Sequence, residues 1–119
     1  MICHITTRAA WEAGQPSGLF HSPEFEQYGF IHCSTPDQVL LIANAYFAGQ
    51  SGRVLLIIDP ARLKSPLRWE PPHRSGRLPE FTQDAVFPHV YGPINIDAVV
   101  RTIDLVPSES GAFVLPRPA

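Results

Sequence analysis

A run of five consecutive large apolar residues, at positions 54–58, constrains the fold of this chain more than any other feature. A strand with one solvated face alternates apolar and polar residues, whereas an uninterrupted apolar run of this length is typical of a strand covered on both faces. Asp59 and Pro60 follow the run and end the strand, because proline lacks a backbone N–H donor. We therefore expect residues 54–58 to form a central strand of a sheet.

The first thirty residues predict a strand, a short helix and a loop. Residues 2–6 form the expected first strand. Thr7 is a good N-cap for a short helix that runs to Ala13, and Gly14 provides its C-terminal stop. Residues 14–29 are rich in glycine, proline, serine and charged residues, so we expect an ordered loop there.

The clearest helix signal follows a second expected strand at residues 30–33. Thr35 is the N-cap, Pro36 occupies the first helical position, and Gln38 stands where a capping box requires it. Gly49 is expected to end the helix. Its buried face is predicted from residues at helical spacing, namely Val39, Ala43, Tyr46 and Phe47.

The second half of the chain predicts three more strands. Residues 67–70 form a short one, and residues 87–92 and 96–106 form two closing strands joined near Gly92. Residues 71–85 show no periodicity and are expected to form a loop. Thirteen prolines explain why so much of the chain is expected to be irregular.

Length and composition set the domain organisation. With 119 residues, 45% of them hydrophobic, the chain can build one core. We predict a single compact α+β domain with a split, mixed β-sheet and two main helices. The domain is expected to span residues 1–106, with a Pro/Ser-rich tail at 107–119 whose apolar segment 113–115 is able to dock on the body.

Charge and patterning exclude several partners. A net charge of −2 gives no basic footprint for duplex DNA. No apolar run is long enough to span a membrane, and no secretory signal is present, so we expect a cytoplasmic protein. Cys3 and Cys33 lack CxxC spacing, so reduced thiols packed in the core are expected rather than a disulfide framework or a complete zinc site.

Three strand segments carry the chemistry, because each places a histidine near a hydroxyl side chain. The pairs are His4 with Thr6, His32 with Ser34, and His89 with Tyr91. Residues two apart in a strand share one side of it. Burying such pairs costs free energy unless they bond to each other or to a ligand. We therefore predict a shared pocket; the alternative is three histidines that are each hydrogen-bonded separately within the structure.

Five sequence blocks carry a resemblance to a known family. They are H-I-T at 4–6, G-F-I-H-C-S-T-x-x-Q at 29–38, V-L-L-I-I-D at 54–59, W-E at 69–70 and F-P-H-V-Y-G-P at 87–93. Together they resemble the bacterial domain-of-unknown-function family 952, over residues 2–105. That resemblance implies no activity, because the family is named for lacking a known one.

A more distant resemblance implies a function. The order of a histidine-bearing strand, a helix, a strand with a polar triplet, a helix and an apolar strand ending in Asp is similar to the ADP-ribosyltransferase superfamily, and within it the RNA 2′-phosphotransferases look closest. The resemblance implies that His4 binds a ribose of NAD and that His32 and Ser34 support the nicotinamide side. The third motif strand offers His89 and Tyr91 but lacks the superfamily's glutamate, which steadies an oxocarbenium-like transition state.

Other side chains are candidates to complete such a site. Glu70 is the nearest carboxylate, although a solvated strand-end carboxylate is the alternative. Either Trp69 or Tyr91 is expected against a planar base. Three arginines are candidates to bind a pyrophosphate or RNA phosphate, unless they are merely solvated surface, namely Arg8, Arg74 and Arg77.

Three functions therefore stay open. The first is a nucleotide-linked enzyme, similar to ADP-ribosyl- or 2′-phosphotransferases, which takes NAD as substrate together with a small nucleotide or phosphorylated partner. The second is a hydrolase with zinc on three histidines, although no metal is favoured because H-x-H and HExxH spacings are absent. The third is a non-catalytic small-molecule-binding module. The lack of a glycine-rich phosphate loop and of a GxSxG motif makes kinase, Rossmann and α/β-hydrolase functions poor matches.

Overall fold

A computed structural model of the protein describes residues 1–72 and 85–114. Its strands are β1 (Ile2–Thr7), β2 (Leu19–Phe20), β3 (Ile31–His32), β4 (Arg53–Ile58), β5 (Leu67–Glu70), β6 (Phe87–Val90), β7 (Ile94–Asn95) and β8 (Val99–Leu105). Its α-helices are α1 (Arg8–Ala13), α2 (Glu24–Tyr28) and α3 (Pro36–Tyr46), with 3₁₀ turns at Pro60–Arg62 and Ile96–Ala98. The expected α+β class and compact single domain are confirmed.

The apolar run lies on β4, in the middle of the antiparallel sheet β1-β4-β8. Leu56 and its alternate neighbours on β4 face one core cluster, which also contains Ile31 and Val90 of the second sheet. Leu55 faces the other cluster, beside Val39 of α3. Both faces of β4 are thus buried, as the uninterrupted apolar run predicts.

The helix α3 covers one face of this sheet and begins where the sequence predicts. The Thr35 side chain accepts from the backbone N–H of Gln38, and the Gln38 side chain accepts from the N–H of Thr35, which completes the capping box. Phe113 packs into the same cluster, 1% exposed. The Asn44 side chain hydrogen-bonds to both the N–H and the carbonyl of Phe113. The tail therefore docks at Phe113, while Leu115 lies outside the described residues.

A second sheet, β3-β6-β5, and the short pair β2-β7 lie on the other face. Two backbone hydrogen bonds between Cys3 and Ser34, of 2.7 and 2.8 Å, join β1 to the end of β3. The sheet is therefore split, as predicted. It is not mixed, because every strand pairing within the described ranges is antiparallel.

The expected loop at 14–29 contains the clearest departure from the sequence prediction, because it holds β2 and α2. Ser22 accepts from the backbone N–H of Glu24, and Gly29 ends α2 in the left-handed region at φ 81°. These are local helix signals, but five residues are too few for a hydrophobic period to show. As a result α2, which presents Glu24, was not predicted.

The last strands differ from expectation in their ends and in one added strand, β7, which lies between them and pairs with β2. The strand expected at 87–92 stops at Val90, and the one expected at 96–106 begins at Val99, after a 3₁₀ turn. No helix within residues 1–72 and 85–114 is long and apolar enough to cross a membrane.

Candidate functional site

Three histidines from three different strands meet at the seam between the two sheets. His4 of β1 donates from Nδ1 to the carbonyl oxygen of His32 at 2.6 Å. The register of β3 and β6 pairs His32 with His89, and their ring centroids are 5.5 Å apart. All three side chains are buried. The split in the sheet is thus what brings the three imidazoles together.

The first carboxylate at this seam is Glu24, from α2. Its Oε1 accepts from the backbone N–H of His32 at 2.9 Å, and its Oε2 accepts from His32 Nδ1 at 3.0 Å. The Nδ1 of His4 lies 3.7 Å from Glu24 Oε1. Burial acts to raise the pKa of Glu24, but the hydrogen bonds from His32 and the nearby imidazoles outweigh it and hold that pKa below its ordinary value.

The second carboxylate is Glu70, at the end of β5. Its Oε1 accepts from the Tyr91 hydroxyl at 2.5 Å and from His89 Nδ1 at 2.9 Å. The hydrogen bonds from Tyr91 and His89 hold the pKa of Glu70 below its ordinary value. The hydrogen bond between Tyr91 and Glu70 also raises the pKa of Tyr91, because a phenol that donates to a carboxylate resists losing its proton. Glu70 is therefore an anion that is fixed in place.

The acceptors determine the tautomer of each histidine. A carbonyl oxygen and an ionised carboxylate only accept hydrogen bonds, so the Nδ1 atoms of His4, His32 and His89 each carry a proton. In the neutral ring the lone pair is then on Nε2. Each imidazole is thus held in one tautomer by an oxygen acceptor at Nδ1.

Phe30 connects the two carboxylate–histidine pairs. Its ring stacks on His89, with centroids 4.1 Å apart and planes at 20°, and lies 4.8 Å from the His32 ring and 5.4 Å from the Tyr91 ring. Arg68 places its guanidinium 5.0 Å from the centroid of Tyr91. The aromatic rings fix the imidazole planes and form an apolar wall beside the polar groups.

Two clefts open on the seam, and each contains one carboxylate. The large cleft has a cavity volume of about 310 Å³ and is lined by Phe30, Glu70, Pro71, Pro72, His89 and Tyr91. The small cleft has a cavity volume of only about 30 Å³, and its polar lining consists of Cys3, His4, Glu24, His32 and Ser34. Burial raises the pKa of Cys3 to about 11, so that residue lines the small cleft as a thiol.

The expected polar pairs divide between these clefts. His32 and Ser34 both line the small cleft, and His89 and Tyr91 both line the large one, as residues two apart on a strand should. Thr6 is buried one strand position beyond the cleft residue Ile5, on the side of β1 that His4 occupies.

Two expected site residues lie elsewhere. Trp69 is half exposed and alternates with Glu70 along β5, so its side chain points away from the large cleft. Arg8 forms ion pairs with Glu12 and Asp104 at a separate surface cleft between the start of β4 and the end of β8. Arg74 and Arg77 lie outside the described residues.

Sequence reasoning missed Glu24 and Phe30 as members of the site. Glu24 is the first residue of an unpredicted helix, although Ser22, Pro23 and Gly29 carried its start and stop signals. Phe30 belongs to the F-I-H-C-S block but reads as an ordinary core residue, because only its position opposite β6 brings its ring against His89 and Tyr91.

The described residues also bear on the zinc alternative. Within 1–72 and 85–114, no group of three or more His, Cys, Asp and Glu side chains is arranged to hold a metal ion. The metal-dependent hydrolase therefore gains no support from the geometry of these residues.

Comparison with known proteins places the chain in a family. Residues 5–102 match the family described as "Protein of unknown function (DUF952)". No curated protein matches the chain.

Solved structures of one bacterial protein, CC0527 of Caulobacter crescentus, are similar to the chain. Its crystal structure and that of a double methionine variant share 34% and 33% sequence identity with the chain, cover 95% of it and 92% of their own length, and give TM-scores of 0.77. Its solution NMR structure, 33% identical, covers 93% of this chain and 89% of that one at a TM-score of 0.68. Neither the description of the family nor the name CC0527 states an activity. The chain therefore belongs to the DUF952 family, as its sequence blocks predict.

Proposed function

We propose that the protein binds an NAD-type dinucleotide at the seam and transfers its ADP-ribosyl group, in the manner that the resemblance to ADP-ribosyltransferases and RNA 2′-phosphotransferases implies. One observation carries the proposal. Glu70 stands beside the third motif strand and is hydrogen-bonded to His89 and Tyr91 of that strand region. Glu70 lies on the neighbouring strand β5 and offers the carboxylate that the third motif strand itself lacks.

The lining of the large cleft suits the nicotinamide end of such a ligand. Phe30 and Tyr91 offer ring faces and edges to a planar base, and Pro71 and Pro72 close the opposite wall without adding donors. His4 lines the small cleft and Thr6 lies on the same side of β1, and both are residue types that hydrogen-bond a ribose hydroxyl.

The chemistry follows from the charge on Glu70. Cleavage of the bond between the ribose C1′ and the nicotinamide nitrogen leaves positive charge on the sugar and releases neutral nicotinamide. A fixed carboxylate in a partly enclosed cleft stabilises that developing charge more than the uncharged ground state of the sugar. His89 and Tyr91 hold the carboxylate still, so it does not have to reorganise during the reaction.

The experiment measures binding and turnover separately. Isothermal titration of the protein with NAD is expected to give heat at micromolar to millimolar ligand, and chromatography is expected to show released nicotinamide. Glu70→Gln should lower the rate of release by about 100-fold or more, since an electrostatic group that acts in the transition state contributes at this scale. Glu12→Gln, on exposed α1, is the matched control and should leave the rate unchanged.

The outcomes separate the transferase from the binding module. Heat of binding without released nicotinamide, in the presence of 2′-phosphorylated RNA as well as in its absence, would favour the non-catalytic module. No heat at millimolar NAD would contradict the proposal altogether.

A further inference from the structure

We propose, on the basis of the proposed function, that the large cleft selects its ligand by positive charge. It binds a flat cationic ring, such as the pyridinium of oxidised NAD, in preference to an uncharged ring of the same shape. Glu70 and Tyr91 are the residues that determine this specificity. The cleft thereby distinguishes the oxidised dinucleotide from the reduced one, whose nicotinamide ring is neutral.

The lining of the large cleft is apolar except at one side. Among the described residues that line it, Glu70 is the only acidic one, and none is a lysine or an arginine. Donors on Tyr91 and His89 hold Glu70 as an anion, and its side chain is 32% exposed. The remaining lining residues are Phe30 and two prolines. A ligand in this cleft therefore meets negative charge on one side and apolar surface on the others.

The hydrogen bonds of Glu70 leave one of its oxygens for a ligand. The Tyr91 hydroxyl and His89 Nδ1 both donate to Oε1, at 2.5 and 2.9 Å. Oε2 has no hydrogen bond to any residue within 1–72 and 85–114. A carboxylate oxygen only accepts hydrogen bonds, so what it gains from a ligand is a donor or a positive charge.

A positive charge already lies beside this wall of the cleft. The guanidinium of Arg68 is 5.0 Å from the centroid of Tyr91, within the distance of a cation–π contact. Arg68 stands two residues before Glu70 on β5, and so on the same side of the strand. Its exposed side chain forms no ion pair with any carboxylate that the structure describes. Arg68 does not line the cleft, so the space for a ligand stays open beside a wall that attracts cations.

The space is large enough for a single ring. The cavity volume of about 310 Å³ lies in the range of small-molecule pockets, roughly 300–1,000 Å³. A ring that enters displaces water, and a charge is attracted to the carboxylate and to the ring of Tyr91 more strongly where water is excluded. A neutral ring of the same shape gains the same apolar contacts without this attraction. The difference between two such ligands therefore measures the effect of charge alone.

The experiment uses two ring probes that differ only in charge, namely the N1-methylnicotinamide cation and neutral meta-toluamide. NMR titration of the ¹⁵N-labelled protein gives the dissociation constant of each. We expect the cation to bind about 10-fold more tightly, and NAD to bind more tightly than NADH by a similar factor. Glu70→Gln removes the charge and should abolish the preference while leaving meta-toluamide binding unchanged.

Two matched variants are the controls. Glu70→Asp keeps the charge on a shorter side chain and should retain a preference for the cation. Glu12→Gln removes a carboxylate that pairs with Arg8 at the separate surface cleft, and should behave as the wild type. The comparison of the two probes on the wild type requires no variant to fold.

The results distinguish selection by charge from the proposed function. Equal binding of the two probes, no binding of either, or a preference that survives Glu70→Gln overturns the selection by charge. Release of nicotinamide from NAD in the same samples leaves the proposed function standing. Preference for the cation together with no binding of NAD would overturn the proposed function and leave a site for cationic rings.

Discussion

At the scale of single residues, the site consists of imidazoles held by oxygen atoms at Nδ1. Glu24 and Glu70 each bind one histidine, and the carbonyl of His32 binds His4. Both carboxylates have lowered pKa values because donors surround them. The three histidines that were predicted from the sequence thus belong to one site that also contains two carboxylates. Of these two, only Glu70 was predicted as a candidate.

The lowered pKa of Glu24 predicts how stability responds to acid. A carboxylate whose pKa is lower in the folded state adds stability above its unfolded pKa, ordinarily 4.5, and loses it as the pH falls through the folded value. Urea unfolding should therefore show Glu24→Gln less stable than the wild type near neutral pH. The difference should shrink as the pH falls below about 4.5. A gap that stays constant into acid would contradict the lowered pKa.

At the scale of elements, the capping signals of α3 fix where the chain leaves the strand β3, which carries His32. The capping box at Thr35 starts α3 immediately after β3, and the backbone bridge between Ser34 and Cys3 lies between them. The end of the strand that carries His32 is therefore fixed from both sides.

Removal of this cap has a measurable cost. Thr35→Ala should lower the free energy of unfolding by about 1 kcal/mol, because the backbone N–H of Gln38 loses its acceptor. Thr35→Ser keeps the hydroxyl and is the matched control, expected within a few tenths of a kcal/mol of the wild type. Denaturant unfolding of the two variants checks this. Equal losses would mean that packing of the threonine methyl group, rather than the cap, stabilises this end.

The elements also show what sequence can and cannot give for such a chain. The strong local signals, which are the apolar run at 54–58 and the Thr35 cap, placed β4 and the start of α3 correctly. The helix ends at Tyr46, earlier than the end expected at Gly49. The short α2 was missed, because five residues hold too little periodicity and its function depends on a contact with His32 eight positions away. The predicted mixed sheet differs from the described pairings, which are all antiparallel, because strand direction depends on long-range pairing that no local signal encodes.

At the scale of the whole molecule, the tail beyond residue 106 contributes to the same core as the body. Phe113 packs with Leu105 and Val39 in the cluster that covers β4. The Asn44 side chain bonds both backbone polar groups of Phe113, at 3.3 and 2.7 Å. The segment that reads as a Pro/Ser-rich tail therefore closes one face of the central sheet.

Truncation of this side chain tests its contribution. Phe113→Ala should lower the free energy of unfolding by about 3–5 kcal/mol, the usual cost of removing a buried aromatic side chain and leaving a cavity. The neighbouring Val114 is 76% exposed, so Val114→Ala should change stability by less than about 0.5 kcal/mol. A similar small effect for both variants in urea unfolding would show that the tail does not belong to the core.

The proposed function depends on one site, a nucleotide cleft at the seam between the two sheets. The most direct test is an NMR titration of the ¹⁵N-labelled protein with NAD, in which shifted resonances report where the ligand binds. The account predicts that Phe30, His32, His89 and Tyr91 shift together and saturate with one dissociation constant. Absence of shifts at millimolar NAD, or shifts confined to the cleft around Arg8 and Asp104, would contradict it.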